Sequence, residues 1–216
     1  AYRDVLLMPR IGVNLSMLNT ETEVFGKRYA APFGIAPLGL CGLVHPQADI
    51  QLARMAAHHN IPYIASATAS TAVEDIANAT GEAPWFQLYV SKSMERTVAL
   101  VERVERLNCP VLVVTVDTAA PGKRLRDLRN RLRIPYWPSL RSIYEVAKNP
   151  LWTARRLTAG KIRFPNLAIP GDEQKQWQFN ELMSWQTGGP LDWNTLCQLR
   201  KQWPRKMVLK GVLSPK

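Results

Sequence analysis

Five short apolar runs in this 216-residue chain each give out on groups able to hold or orient a ligand: Pro37 with Gly39, Ser66, Gln87 with Tyr89, Thr115 with Asp117, and Lys210. Hydroxyls, a carboxamide and a phenol match the donors and acceptors of a polar ligand, while a carboxylate and an ammonium bring charge. Taken singly, each has a plainer explanation. A strand Ser or Thr is usually a satisfied hydroxyl, a strand Tyr is usually core, and a buried Lys is usually half of an ion pair. The case for chemistry is collective: if the runs are neighbouring strands of a parallel sheet, their carboxyl ends form one rim, where such folds bind ligands.

The elements that must position them follow from pattern. Residues 110–124 (PVLVVTVDTAAPGKR) open on four consecutive branched aliphatics, Val111 to Val114, which predicts a strand buried on both faces. Upstream, residues 33–37 (FGIAP), 61–66 (IPYIAS) and 85–90 (WFQLYV) predict three further strands, with Gln87 and Tyr89 on one face. Residues 38–42 (LGLCG) form a small-residue loop that lets a ligand approach the backbone. A helix is expected from His45 and Pro46 through Asn60, with Ile50, Ala53, Met55, Ala56 and Ala57 inward, and a short one near 73–79. Ser93 caps a clear helix with apolar residues at Met94, Val98, Val101, Val104 and Leu107. After a break, Asp192 or Asn194 starts a last helix and residues 207–212 (MVLKGV) form a fifth strand, with Lys210 inside it. Residues 2–29 carry only short apolar pieces and a turn-like stretch at 25–28, and are expected to be a lead-in.

Strands recurring at intervals of roughly 23 to 28 residues, with helices between, predict an α/β fold and favour a (β/α)8 TIM barrel, with about five of its eight strands present. The expected organisation is a partial barrel domain over 1–216, interrupted at 131–189 by an excursion punctuated with Pro135, Pro138, Pro150, Pro165 and Pro170. Because the last run is a strand without its helix, the expectation is that a longer polypeptide continues it.

Charge is concentrated. Residues 123–163 hold twelve Lys or Arg against Asp127 and Glu145, a net of +10 within a chain total of +11. Such a block suits an anionic surface, either phospholipid headgroups or nucleic acid. No nucleic-acid recognition motif accompanies it, so no nucleic-acid partner is expected. Cys41, Cys109 and Cys197 share no metal-type spacing and leave one unpaired, against a disulfide framework and for a reducing compartment. No apolar run approaches the ~20 residues a spanning helix needs, so the chain is expected to be soluble or peripheral.

WFQLYV at 85–90, TVDT at 115–118 followed by PGKRLRDLRNR, and VLKGV at 208–212 together resemble the FMN-dependent 2-hydroxy-acid oxidase and dehydrogenase family. The match runs in order over nearly the whole chain and is weakest in the excursion. The resemblance implies that the backbone of Ala36, Pro37 and Leu38, with Ser66, Gln87, Thr115 and Lys210, surrounds the isoalloxazine ring of FMN. It implies that Lys210 lies where negative charge collects as the ring takes up a hydride, and that Arg124 grips the substrate carboxylate with its planar fork. Tyr89 then donates to the substrate, and Asp117 orients the catalytic histidine. That histidine belongs to a His-Gly-x-Arg motif on the next strand, which these residues do not include, so they are expected to be inert alone. His45, His58 and His59 are assigned no catalysis.

Two departures bear on the substrate. Thr68 stands where some oxidases of the family have tryptophan, and Gly39 where they have alanine, which favours the dehydrogenase branch. The implied reaction is oxidation of a lactate- or mandelate-like (S)-2-hydroxy acid to the 2-oxo acid, with electrons passed to a membrane quinone. The implied setting is the inner face of a bacterial inner membrane, reached through residues 123–163 and the LWTARRL segment at 151–157, in a homotetramer. The rivals are a soluble oxidase using oxygen, a Schiff-base aldolase using Lys210, and a basic module without catalysis.

Overall fold

The computed structural model describes residues 6–9, 11–14, 16–118, 125–129, 140–168, 189 and 191–213. Its centre is a four-stranded parallel sheet: β3 (Ile64–Ser66), β4 (Trp85–Tyr89), β5 (Val111–Thr115) and β6 (Lys206–Lys210), lying in that order. All five residues of β5 are buried, as a strand flanked on both sides and covered on both faces must be. An antiparallel hairpin of β1 (Thr22–Val24) and β2 (Lys27–Tyr29) precedes the sheet, so the expected lead-in carries its own element. Phe25 and Gly26 turn it with φ of 56° and 85°. Its Phe25 and Tyr29 rings pack on Trp85 at the start of β4, closing the amino end of the sheet.

The run at 33–37 pairs through a single parallel bridge, Ile35 with Tyr63, instead of forming a full strand. Pro32 and Pro37 bracket it and offer no N–H to a ladder, which leaves Ile35 to donate to the Pro62 carbonyl and accept from Ile64. The helix expected from His45 to Asn60 is two: α1 (Cys41–Val44) and α2 (Ala48–His58), broken where Gln47 adopts φ 63°. The inward stripe of α2 also differs. Asp49, Ala53 and Ala56 are buried, whereas Met55 and Ala57 face solvent.

Helices α3 (Val73–Thr80) and α4 (Met94–Arg106) carry the crossovers between strands. Ser93 caps α4 by accepting from the Arg96 N–H, and Asp192 caps α8 (Trp193–Gln202) by accepting from the Thr195 N–H. One core joins the strand residues Ala65, Phe86, Leu88, Leu112 and Val114 to helix residues such as Ile76, Val101, Val104 and Leu199. Strand side chains alternate, so the residues between them point to the opposite face.

The excursion is not structureless. After α5 (Leu125–Arg129), which precedes it, it contains α6 (Leu140–Ala147), α7 (Pro150–Thr158) and a 3-10 turn, Pro165–Leu167. That turn belongs to the core: Phe164 and Leu167 are buried in it, and Asn166 accepts from the Val73 N–H while donating to the Ser66 and Thr71 carbonyls. Arg103 ties the same region to the crossover helices, with two bonds to the Glu74 carboxylate at 2.6 and 2.7 Å and one to the Pro165 carbonyl. Burial disfavours ionised Glu74, but the Arg103 hydrogen bonds and charge outweigh it and hold the carboxyl below its ordinary value.

Replacing Asn166 by alanine in the full-length protein leaves the buried Val73 N–H and the Thr71 carbonyl unpaired, while the Ser66 carbonyl keeps its bond from the Ala69 N–H. We expect a loss on the order of 3 kcal/mol, read as a lower urea midpoint at unchanged slope. A midpoint equal to wild type removes Asn166 from the pinning role. Because the folded-state pKa of Glu74 is depressed, its ionised form stabilises the fold fully above pH 4.5, its ordinary value, and that contribution disappears as pH falls below it. Glu74→Gln is expected to lower the thermal midpoint at neutral pH and to flatten its decline on acidification. An acid limb as steep as wild type counts against the linkage.

Candidate functional site

Residues paired across a parallel ladder share a face. Ser66 pairs with Gln87, Tyr89 with Thr115, and Thr115 with Lys210, so these five residues from four strands lie on the face away from the core helices. Three of them are joined. The Ser66 hydroxyl donates to Gln87 Oε1 at 3.0 Å, and Gln87 Nε2 donates to Thr115 Oγ1 at 2.9 Å. Each is at most 2% exposed. The Thr68 N–H donates to Ser66 Oγ at 3.2 Å, and the two hydroxyls lie 3.1 Å apart. In this arrangement the Gln87 oxygen faces Ser66 and its nitrogen faces Thr115. One Gln87 amide hydrogen and the Thr115 hydroxyl hydrogen are left to donate elsewhere.

The loop expected to approach a ligand does come close to its neighbours. A Cβ on Gly39 would collide with the Thr68 hydroxyl, and one on Gly42 would lie 2.7 Å from Ser70 Cβ. With those two side chains absent, Leu40 N–H reaches the Thr68 carbonyl and Gly42 N–H reaches Ser70 Oγ. The backbone of Ala36, Pro37 and Leu38 leads into this loop directly from the Ile35 bridge.

Lys210 ends β6 and is exposed, not enclosed by an apolar strand as its sequence neighbours imply. Its carbonyl accepts from the Val116 N–H at 2.9 Å. Asp117 explains the glycine that follows: a Cβ on Gly211 would lie 2.6 Å from Asp117 Cβ, and φ there is +107°. Tyr89 is half-buried at the end of β4. Arg124 lies outside the described residues.

One buried acid beside the rim escaped the sequence analysis. Asp49 is 1% exposed; its Oδ2 accepts from the Ser70 N–H at 3.1 Å, while Oδ1 has no partner among the described residues. Burial raises its pKa, and burial with the Asp49 charge raises the Cys41 thiol to about 11. Asp49 therefore fastens the segment after β3 against α2. The signal was available, since 49, 53 and 56 follow the helical period.

A parallel sheet with a hydrogen-bonded polar rim at its carboxyl ends defines a cofactor-binding α/β barrel of the kind whose rim carries the chemistry. The chain belongs to the FMN-dependent dehydrogenase family, whose model it matches over residues 1–216. It is 34% identical to the putative L-lactate dehydrogenase of Mycobacterium tuberculosis, over 98% of this chain and 50% of that protein. Identity is also 34% to (S)-mandelate dehydrogenase of Pseudomonas putida, over 95% of this chain and 52% of that one. With 4-hydroxymandelate oxidase of Amycolatopsis orientalis it is 39%, over 99% and 54%. The crystal structure of the monotopic membrane protein (S)-mandelate dehydrogenase superposes with a TM-score of 0.86 at 32% identity, covering 95% of this chain and 55% of that one. The chain thus spans about half the length of the curated relatives it matches, and its sheet and helices are part of a TIM barrel.

Gly39→Ala is expected to displace the Thr68 hydroxyl and weaken retention of flavin by the full-length protein by ~10-fold, about the consequence of disturbing one neutral hydrogen bond. Adding Thr68→Ala removes the colliding atom and should restore part of the loss, read by flavin released on dilution. Failure of the second substitution to rescue the first counts against the contact.

Proposed function

We propose that this chain supplies the flavin-facing half of an enzyme that oxidises a lactate- or mandelate-like (S)-2-hydroxy acid to its 2-oxo acid with FMN. The observation that carries it is the buried row Ser66–Gln87–Thr115, with Lys210 in register beside it. That row leaves a carboxamide N–H and a hydroxyl free to donate beside a close-packed backbone loop, a set that fits the alternating donors and acceptors of a flavin's pyrimidine edge. FMN, when bound, supplies the electron-accepting centre.

In this scheme Ser66, Gln87 and Thr115 orient the ring, and the backbone of Ala36, Pro37 and Leu38 lies along it. Lys210 brings a fixed ammonium to the side where negative charge accumulates, stabilising the reduced state. Arg124 binds the substrate carboxylate through two parallel charge-assisted bonds, Tyr89 donates to the substrate, and Asp117 orients the base and steadies its protonated form.

The electron acceptor in this scheme is a membrane quinone. Among the described residues no helix is long and apolar enough to cross a membrane. The excursion instead presents Leu151 and Leu157 of α7 at 75% and 79% exposure among Arg155, Arg156 and Lys161, a mixture suited to lying in a headgroup layer. Peripheral attachment to the inner face of a bacterial inner membrane, as a homotetramer, completes the scheme. Oxygen is the rival acceptor, favoured by the identity to an oxidase.

The full-length protein, mixed anaerobically with (S)-lactate or (S)-mandelate, is expected to lose its flavin absorbance and regain it with a quinone analogue faster than with oxygen. Lys210→Met should slow the bleaching at least ~100-fold, the usual effect of removing one such charge-stabilising donor. Rapid peroxide formation decides for the oxidase, and no bleaching by any 2-hydroxy acid sinks the proposal.

A further inference from the structure

Beside the rim, α7 docks on the last residues of α1 through Trp152, whose indole N–H donates to the Val44 carbonyl at 3.0 Å and to that of Leu43 at 3.3 Å. Between them opens a cleft of about 620 Å³, away from the Ser66–Gln87–Thr115 row. Its described lining includes Arg155, Arg156, Lys161 and Arg163 with His45 and Gln47, and no carboxylate. Among the described residues no acidic partner is recorded for any of these four cations; Arg156 donates to the Gly160 carbonyl.

Two further contacts set the wall of the cleft. Arg155 Nη1 lies 3.4 Å from His45 Nε2, and a guanidinium can only donate, so this contact makes Nε2 the acceptor and leaves the hydrogen on Nδ1. That Nδ1 is buried and has no partner among the described residues. Gln47 opens α2 in the left-handed region, and the Ala48 N–H that follows donates to the His45 carbonyl at 3.1 Å, which fixes the loop along one wall of the cleft. Three guanidinium forks and an ammonium around one cleft match a group with several anionic oxygens, and the cleft has room for more than a bare ion.

We propose that this cleft receives the phosphate of an anionic phospholipid headgroup. The shared chemistry is that of any phosphate ester; the lipid is favoured by what surrounds the cleft. Val44, beside His45, is 74% exposed, and α7 carries Leu151 and Leu157 at 75% and 79%. These apolar side chains have no protein cover in the described structure and suit contact with acyl chains while the cations hold the headgroup. The inference rests on the peripheral-membrane reading and sharpens it from a diffuse basic face to a specific site.

The test uses the full-length flavoprotein and vesicles of phosphatidylcholine with or without phosphatidylglycerol. The paired variant Arg155→Gln/Arg163→Gln is compared with Arg106→Gln/Lys201→Gln, which removes two exposed charges from the outer helices. Both variants must keep the wild-type flavin spectrum, which reports folding. We expect the cleft pair to lower binding to phosphatidylglycerol vesicles at least ~10-fold more than the control pair. Soluble glycerophosphoglycerol should compete for the wild type. Equal losses from the two pairs overturn the cleft while leaving membrane attachment standing. Absence of vesicle binding by the wild type removes both. Calorimetric binding of inorganic phosphate that depends on the cleft pair, without vesicle binding, assigns the cleft to a soluble phosphate ester and overturns the lipid.

Discussion

A carboxamide buried at a strand end has to satisfy both of its ends from neighbouring strands, and Gln87 does so by accepting from Ser66 on one side and donating to Thr115 on the other. An unpaired amide at this depth costs more than the bonds contribute, so the row is an all-or-none constraint on register. Slipping β3 or β5 by one residue would turn Ser66 or Thr115 to the helix-covered face and strand the amide. The same register brings Tyr89 and Lys210 to the face that carries the row. The bonds that align three strands also set which donors the row has left over.

Around that row, close approach replaces side-chain bulk. Gly39 and Gly42 let the first loop lie on the segment after β3, which Asp49 fastens from beneath through Ser70. Gly211 lets the chain pass Asp117 immediately after Lys210. Each glycine stands where an ordinary side chain would push a rim residue out of place, so the rim is shaped by what its loops lack as much as by the groups they carry.

The excursion has two ends with different physics. Its return, at Phe164, Asn166 and Leu167, is buried and wired to α3 by hydrogen bonds, which makes it part of the barrel wall. Its middle, α7, touches the barrel through Trp152 and leaves leucines and arginines facing outward. A segment so divided can present a surface to a partner without loosening the sheet that holds the site.

Much of this was legible in the chain itself. The period of two exposed β4 and the common face of Gln87 and Tyr89, four branched aliphatics exposed the fully buried β5, and Ser93 and Asp192 marked helix starts, because each of these signals acts over a few residues. Tertiary structure alone decided the rest. Asn166 meets Val73 across 93 residues, His45 meets Arg155 across 110, and Gly39 is needed because of Thr68. Local pattern states which side chains prefer burial or a cap. Which distant group completes a hydrogen bond, or forbids a Cβ, is set only when the strands have found their register and the loops have closed on one another.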